Sequence, residues 1–148
     1  MSESLVTVRL SQEQDYRFRV AFDSGVAALV ADEPAPLGGG QGPSPVELLA
    51  AAVGNCLSDS LLFALRKFKQ VPEPLSAVVQ AEVGRNAEGR VRVLAMKAQL
   101  TLGVPAASLQ HLDRVLGQFE QFCTVTQSVG QGIAITVEVR DALGVQLK

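Results

Sequence analysis

The feature that most constrains this chain is a helix start with a long apolar run behind it. In GPSPVELLAAAVGNCLSDSLLFALRKF, Gly42 to Phe68, Ser44 stands at an N-cap, Pro45 at the first helical position and Glu47 three residues after the cap. Ser and Glu at that spacing satisfy each other's backbone N–H groups, and Pro loses nothing where the N–H has no helical partner. The helix is predicted to run from this cap to about Lys69, ahead of Pro72 and Pro74. It is apolar nearly all round, so it must be covered on most sides. One sheet of a small domain leaves part of that surface bare, and a second copy of the chain is a candidate for the remainder.

Such a run also invites a membrane-spanning reading. Asn55, Ser58, Asp59 and Ser60 near its centre argue for a core helix instead, because a central Asp is costly in hydrocarbon. The chain has 148 residues, 47% hydrophobic and 19% charged, which suits one domain (1–148) with a real core and excludes disorder. The N-terminal MSESLVTVRL lacks a basic start followed by an apolar stretch. The expectation is a cytoplasmic protein with reduced thiols and no membrane partner. A net charge of −2, 5% aromatic residues and no Trp offer neither a basic nor a stacking surface, so no nucleic-acid partner is expected.

Leu5–Leu10 reads as a strand and Ser11–Asp15 as a turn. In Tyr16–Phe22, residues Tyr16, Phe18, Val20 and Phe22 alternate with Arg17, Arg19 and Ala21, a half-buried strand. Asp23-Ser24-Gly25 signals a turn, Val26–Val30 a third strand, and the Pro- and Gly-rich Asp32–Gly42 a loop. After the long helix, Leu75–Val83 and Arg90–Leu102 read as strands joined by a hairpin loop at 85–89. Leu109, Leu112, Leu116 and Phe119 recur at helical spacing, which predicts one amphipathic helix from Pro105 to about Phe122. Thr124–Val129 follows as a short turn or helix, and Ile133–Val139 as the last strand. The order βββ-α-ββ-α-β clusters strands in hairpins, so the expected class is α+β, with antiparallel sheets around a long buried central helix.

Several motifs carry little chemistry. Gly38-Gly39-Gly40-Gln41-Gly42 precedes a helix but lacks the Gly-Lys-Ser/Thr ending of a phosphate loop, and the spacing of a dinucleotide fingerprint is absent. Two cysteines 67 residues apart and a single His give no zinc-type spacing, so neither metal nor cofactor is expected. Within the predicted Pro105–Phe122 helix, His111 lies about 18 Å along the axis from Cys123, too far to be its base.

Cys56 is the residue that packing explains least. It sits among polar residues in an apolar helix, with Asp59 and Ser60 on its face at i+3 and i+4. A reactive thiol needs a cation or a helix N-terminus to lower its pKa. Cys56 is mid-helix, Asp59 acts the wrong way, and Arg66 is about 15 Å along the axis. Arg17 and Arg19, on one strand face, are the candidate cations. Cys123, at a helix end, is a thiol expected to be exposed and movable.

GPSPVELLAAAVGNC, a second Cys in FCTVTQSV and the closing ITVEV together resemble the OsmC/Ohr family of thiol peroxidases, over most of the chain. The resemblance implies an intertwined homodimer with its sites at the subunit interface. It implies that Cys56 attacks an organic hydroperoxide or hydrogen peroxide and becomes a sulfenic acid. Cys123 would then condense with it to a disulfide, and an external dithiol would restore both thiols. The chain departs from the family pattern twice. The position after the helix-starting Pro, Glu in typical Ohr members, is Val46, and Glu47 comes one residue later, about 100° round the helix. Glu47 is also about 13.5 Å along the helix from Cys56, so capping accounts for it better than catalysis. The family's Arg-bearing Gly-rich turn has no counterpart in Ser11–Asp15, which makes the chain more similar to the OsmC-like branch with a PSPxELL helix start. Two further readings stay open: a redox-sensing thiol protein of this fold, and a dimer that binds a small hydrophobic ligand without catalysis.

Overall fold

The computed structural model describes residues 3–148. The chain divides into two compact units, one ending at Leu48 and the other running from Leu49 to Lys148.

The first unit is an antiparallel sheet of β1 (Val8–Gln14), β2 (Arg17–Phe22) and β3 (Leu29–Ala31), in that spatial order. Three boundaries differ from the predicted ones. β1 starts later than Leu5 and continues through Ser11–Gln14, so the turn is confined to Asp15-Tyr16, with Asp15 at φ +50°. The polar side chains that suggested a turn there sit on an exposed strand, where polar residues cost nothing. Val26 lies outside β3 and is exposed, because pairing with β2 covers only Leu29 to Ala31.

Asp32–Gly42 is a loop, as its Gly and Pro content predicts, but an ordered one. The buried Asp32 carboxylate accepts the N–H groups of Glu33 and Gly39 at 2.8 and 3.2 Å and that of Gln41 at 3.1 Å. The loop's amides thus serve an internal carboxylate, which agrees with rejecting a phosphate cradle. At Gly42 a Cβ would meet the Val30 carbonyl oxygen at 2.0 Å, so only glycine fits beside β3.

Helix α1 (Pro45–Lys67) opens with the capping box read from sequence. Ser44 N–H donates to Glu47 Oε1 at 3.0 Å and Glu47 N–H donates to Ser44 Oγ at 3.2 Å. It ends two residues before the predicted Lys69, which takes a left-handed φ of +58° and closes the helix.

In the second unit β4 (Ser76–Arg85) and β5 (Val91–Thr101) form the expected antiparallel hairpin. Asn86 Oδ1 accepts Glu88 N–H and Arg90 N–H across its turn, both at 3.0 Å. β6 (Ala134–Arg140) pairs with β5 in parallel, a correction to an all-antiparallel reading. The chain returns through Gly103–Ile133, a crossover long enough to bring β6 back in the same direction as β5. That crossover is not one helix from Pro105 to Phe122. It is a 3-10 turn at Ala106–Ser108, α2 (Leu112–Gln118), a 3-10 turn at Phe119–Phe122 and α3 (Thr124–Val129). The break before α2 is at His111, with φ +60°.

Val53, Leu57, Leu61 and Leu65 form one fully buried stripe of α1, in a core with Ala98, Leu100, Val115, Phe119 and Val139. Burying each such side chain stabilises the fold by about 1.5–3 kcal/mol. At Gly54 a Cβ would meet Val79 Cγ2 at 2.7 Å, so glycine lets α1 lie close on β4. Ala51, Ala52 and Phe63 lie on exposed parts of α1, and Phe63 is 73% accessible. Within the second unit the helix is covered on the side of its buried stripe.

Removing the cap tests how much of α1 depends on it. Ser44→Ala is expected to lower unfolding stability by about 1 kcal/mol, read from the urea midpoint at unchanged slope. A midpoint equal to wild type would show that the reciprocal bonds contribute nothing.

Candidate functional site

Cys56 lies in the middle of α1, half-buried, on the turn after Gly54. Cys123 is reached by the segmented crossover. Leu116 and Phe119 are anchored in the core, and the 3-10 turn at Phe119–Phe122 ends with Cys123 N–H donating to the Glu120 carbonyl at 3.1 Å. Lys148 fastens this stretch. Its Nζ donates to the Leu116 carbonyl at 2.8 Å, pairs with Glu120 and lies 5.4 Å from the Phe119 ring centroid.

Cys123 is the N-cap of α3 in extended backbone, and its carbonyl accepts Gln127 N–H at 2.9 Å. Its side chain is fully buried, so the expectation of an exposed thiol is corrected. A helix end carries a core residue here because Phe119 and Thr126 on either side are buried too. The Cys123 thiol donates to Thr126 Oγ1 at 2.9 Å.

The two cysteines, 67 residues apart in sequence, meet. The Cys123 side chain is close enough to act on the ionisation of Cys56. The backbone amides of Val125 and Thr126, in the first turn of α3, act on Cys56 in the direction that favours its thiolate. These amides have no helical partner at a helix start. Burial pushes the Cys56 thiol above its ordinary value, and Cys123 pushes it the same way through its hydrogen bond and charge. The Val125 and Thr126 amides act in the opposite direction, and the balance is upward. Asp59, which sequence placed on the same face, is held by Asn55 Nδ2 at 2.8 Å.

Of the other residues singled out from sequence, Glu47, Arg17 and Arg19 belong to the first unit. Glu47 closes the capping box. Arg17 donates from Nη2 to Gln14 Oε1 at 2.9 Å and has Glu13 at 3.8 Å. Arg19 is exposed on β2, opposite Ser11 and Val30. Arg66, discounted on distance, pairs with Glu73 at 2.8 Å.

Sequence reasoning missed Thr126 and the α3 amides. The available signal was FCTVTQ, a Cys directly followed by a short helical stretch, which makes the Cys a cap and frees the next amides to face inward. Among the described residues no group of three or more His, Cys, Asp or Glu is placed to hold a metal ion.

The OsmC-like protein family model matches residues 38–138, which include α1, both cysteines and β4 to β6 up to Glu138. The chain belongs to the OsmC-like family. Solved structures give the same fold. An OsmC-like protein of unknown function from Vibrio cholerae aligns at TM-score 0.78 and 18% identity, covering 93% of this chain and 99% of that one. An organic hydroperoxide resistance protein OsmC from Legionella pneumophila aligns at TM-score 0.73 and 12% identity, covering 95% and 99%. The organic hydroperoxide resistance protein OhrB of Bacillus subtilis aligns at TM-score 0.70 and 14% identity, covering 92% and 98%. No curated protein matches this OsmC-like chain.

The raised Cys56 pKa has a consequence for stability. The folded thiol holds its proton more tightly than the unfolded one. That contribution is fully present below the unfolded thiol pKa and is lost as pH rises through the folded value. The urea midpoint of the reduced protein is expected to fall across this alkaline window, and Cys56→Ser to flatten the fall. Equal slopes in wild type and variant would assign the effect to other groups.

Proposed function

We propose that this OsmC-like protein is a thiol-dependent peroxidase acting on hydroperoxides. The observation that carries the proposal is the closeness of Cys56 to Cys123 and to the first-turn amides of α3, each of which acts on the Cys56 thiol. Family membership and neighbours described as organic hydroperoxide resistance proteins support it.

Cys56 is the more accessible thiol, which suits it to meet the peroxide. As the thiolate it attacks the terminal peroxide oxygen. The O–O bond breaks, the alcohol leaves with the proton, and Cys56 becomes a sulfenic acid. The Val125 and Thr126 amides favour the thiolate over the thiol. Cys123, already adjacent, then attacks the sulfenic sulfur; its proton and the hydroxyl leave as water and a disulfide forms. An external dithiol returns two electrons and restores both thiols. The Thr126 hydroxyl, as acceptor of the Cys123 S–H, holds that thiol in place until it reacts.

The exposed side of α1 and the exposed Leu5, Val6, Val8 and Leu10 support a second proposal, that two copies associate through these surfaces. A soluble cytoplasmic homodimer fits both.

The decisive assay is consumption of cumene hydroperoxide with dithiothreitol as reductant. Wild type is expected to turn over, with a rate that rises with pH as the Cys56 thiolate fraction grows. Cys56→Ser is expected to fall to background. Cys123→Ser is expected to form a sulfenic acid that dimedone traps, without the disulfide. If wild type and Cys56→Ser consume peroxide equally, the proposal fails.

The upward balance at Cys56 favours one alternative, a redox-sensing thiol protein whose bridge forms without efficient peroxide turnover. Mass spectrometry showing the Cys56–Cys123 bridge after mild oxidation, in a protein inactive toward cumene hydroperoxide, would select it.

A further inference from the structure

The segment after β6 turns back along that strand and carries Lys148 to the stretch that holds Cys123. Asp141, buried at the turn, sets its course. Its Oδ1 accepts the N–H groups of Leu143 and Val145, both at 2.9 Å, and its Oδ2 accepts Ala106 N–H at 2.9 Å. Arg140 and Gln146 then form an antiparallel bridge, and Leu147 N–H donates to the Val139 carbonyl at 2.7 Å. Val139 is fully buried in the core, so the returning backbone is tied to a fixed point.

Lys148 then reaches two elements at once. Its Nζ donates to the Leu116 carbonyl in the last turn of α2, where carbonyls run out of helical partners. The same Nζ pairs with the Glu120 carboxylate in the 3-10 turn Phe119–Phe122. The Glu120 carbonyl accepts Cys123 N–H at 3.1 Å and Gln127 Nε2–H at 3.1 Å. Glu120 therefore joins Lys148, through its side chain, to Cys123 and α3, through its backbone. A four-residue 3-10 turn has few bonds of its own, so its place depends on such outside ties.

We propose that Lys148 is a positioning residue for Cys123: its ion pair with Glu120 and its bond to Leu116 hold the 3-10 turn so that the Cys123 sulfur stays close to Cys56. The proposal rests on the reading of Cys56 and Cys123 as a redox pair. Lys148 acts through Glu120 and not on either sulfur. Holding two reacting groups in place raises their effective concentration, and disulfide geometry tolerates little displacement.

The test is equilibration of the full chain with mixtures of reduced and oxidised glutathione, read by mass spectrometry. Cys56 displaces one glutathione to form a mixed disulfide, and Cys123 displaces the other to close the bridge. One oxidised glutathione thus takes two electrons and two protons and leaves as two thiols. The ratio of bridge to mixed disulfide at fixed reduced glutathione measures how well Cys123 is placed. Lys148→Met is expected to lower this ratio about tenfold. Lys148→Arg, which keeps the charge and the donors, is expected to restore it. Glu120→Gln is expected to lower it as well, and to add nothing to Lys148→Met, which already breaks that pair. Urea midpoints read in parallel are expected to show each variant folded under the assay conditions, so that a lower ratio reports the placement of Cys123. If Lys148→Met unfolds, Glu120→Gln alone decides. A ratio unchanged in Lys148→Met and Glu120→Gln overturns this proposal and leaves the thiol pair standing, as does a loss that Lys148→Arg fails to restore. No bridge in the wild type overturns both. A bridge that responds to Lys148, in a protein that consumes no cumene hydroperoxide, supports this proposal and sinks only the peroxidase reading.

Discussion

The buried stripe Val53, Leu57, Leu61 and Leu65 is the contact on which the rest of the second unit depends. It fixes the rotation of α1 on the β4–β5–β6 sheet, with Gly54 allowing close approach at Val79. Once that rotation is set, Cys56 comes next to the stripe and not within it. It is half-buried, facing the crossover that carries Cys123. Rotating the helix by one residue, about 100°, would take the sulfur away from its partner.

The thiol pair is a balance of opposed effects. Burial stabilises the neutral thiol, and so does a neighbouring thiol. The first-turn amides of α3 stabilise the thiolate. A six-residue helix contributes through the local action of these two amides, since so short an element has little dipole of its own. The segmentation of the crossover is what makes this possible. A continuous helix from Pro105 to Phe122 would have placed no helix start beside Cys56. The break at His111 and the 3-10 turn after Gln118 allow α3 to begin at Cys123 and present its free amides to the other sulfur.

Much of the architecture was legible in the sequence because local chemistry sufficed to specify it. Ser44-Pro45-Val46-Glu47 encodes a helix start in four residues, and both reciprocal bonds form. Asn86 and Gly89 encode the hairpin turn in the same way, with Gly89 at φ +75°. The first strand was shifted because Ser11–Gln14 is polar, and a strand exposed along its whole length has no apolar alternation to announce it. The crossover was misread because Leu109, Leu112, Leu116 and Phe119 keep helical spacing across a break. Periodicity reports which residues face the core, and a kinked chain can satisfy the same pattern.

By itself, then, the sequence determined the helix cap, the hairpin, the long apolar helix and the family likeness, since each rests on residues a few positions apart or on a motif. It also marked Cys56 as a residue that packing alone did not explain. Tertiary structure decided that Cys56 comes close to Cys123 and to the start of α3, that Cys123 is buried and that β6 runs parallel to β5. Those are contacts across tens of residues. They follow from where the hydrophobic stripe of α1 settles and from how the crossover breaks, and no local pattern encodes either one.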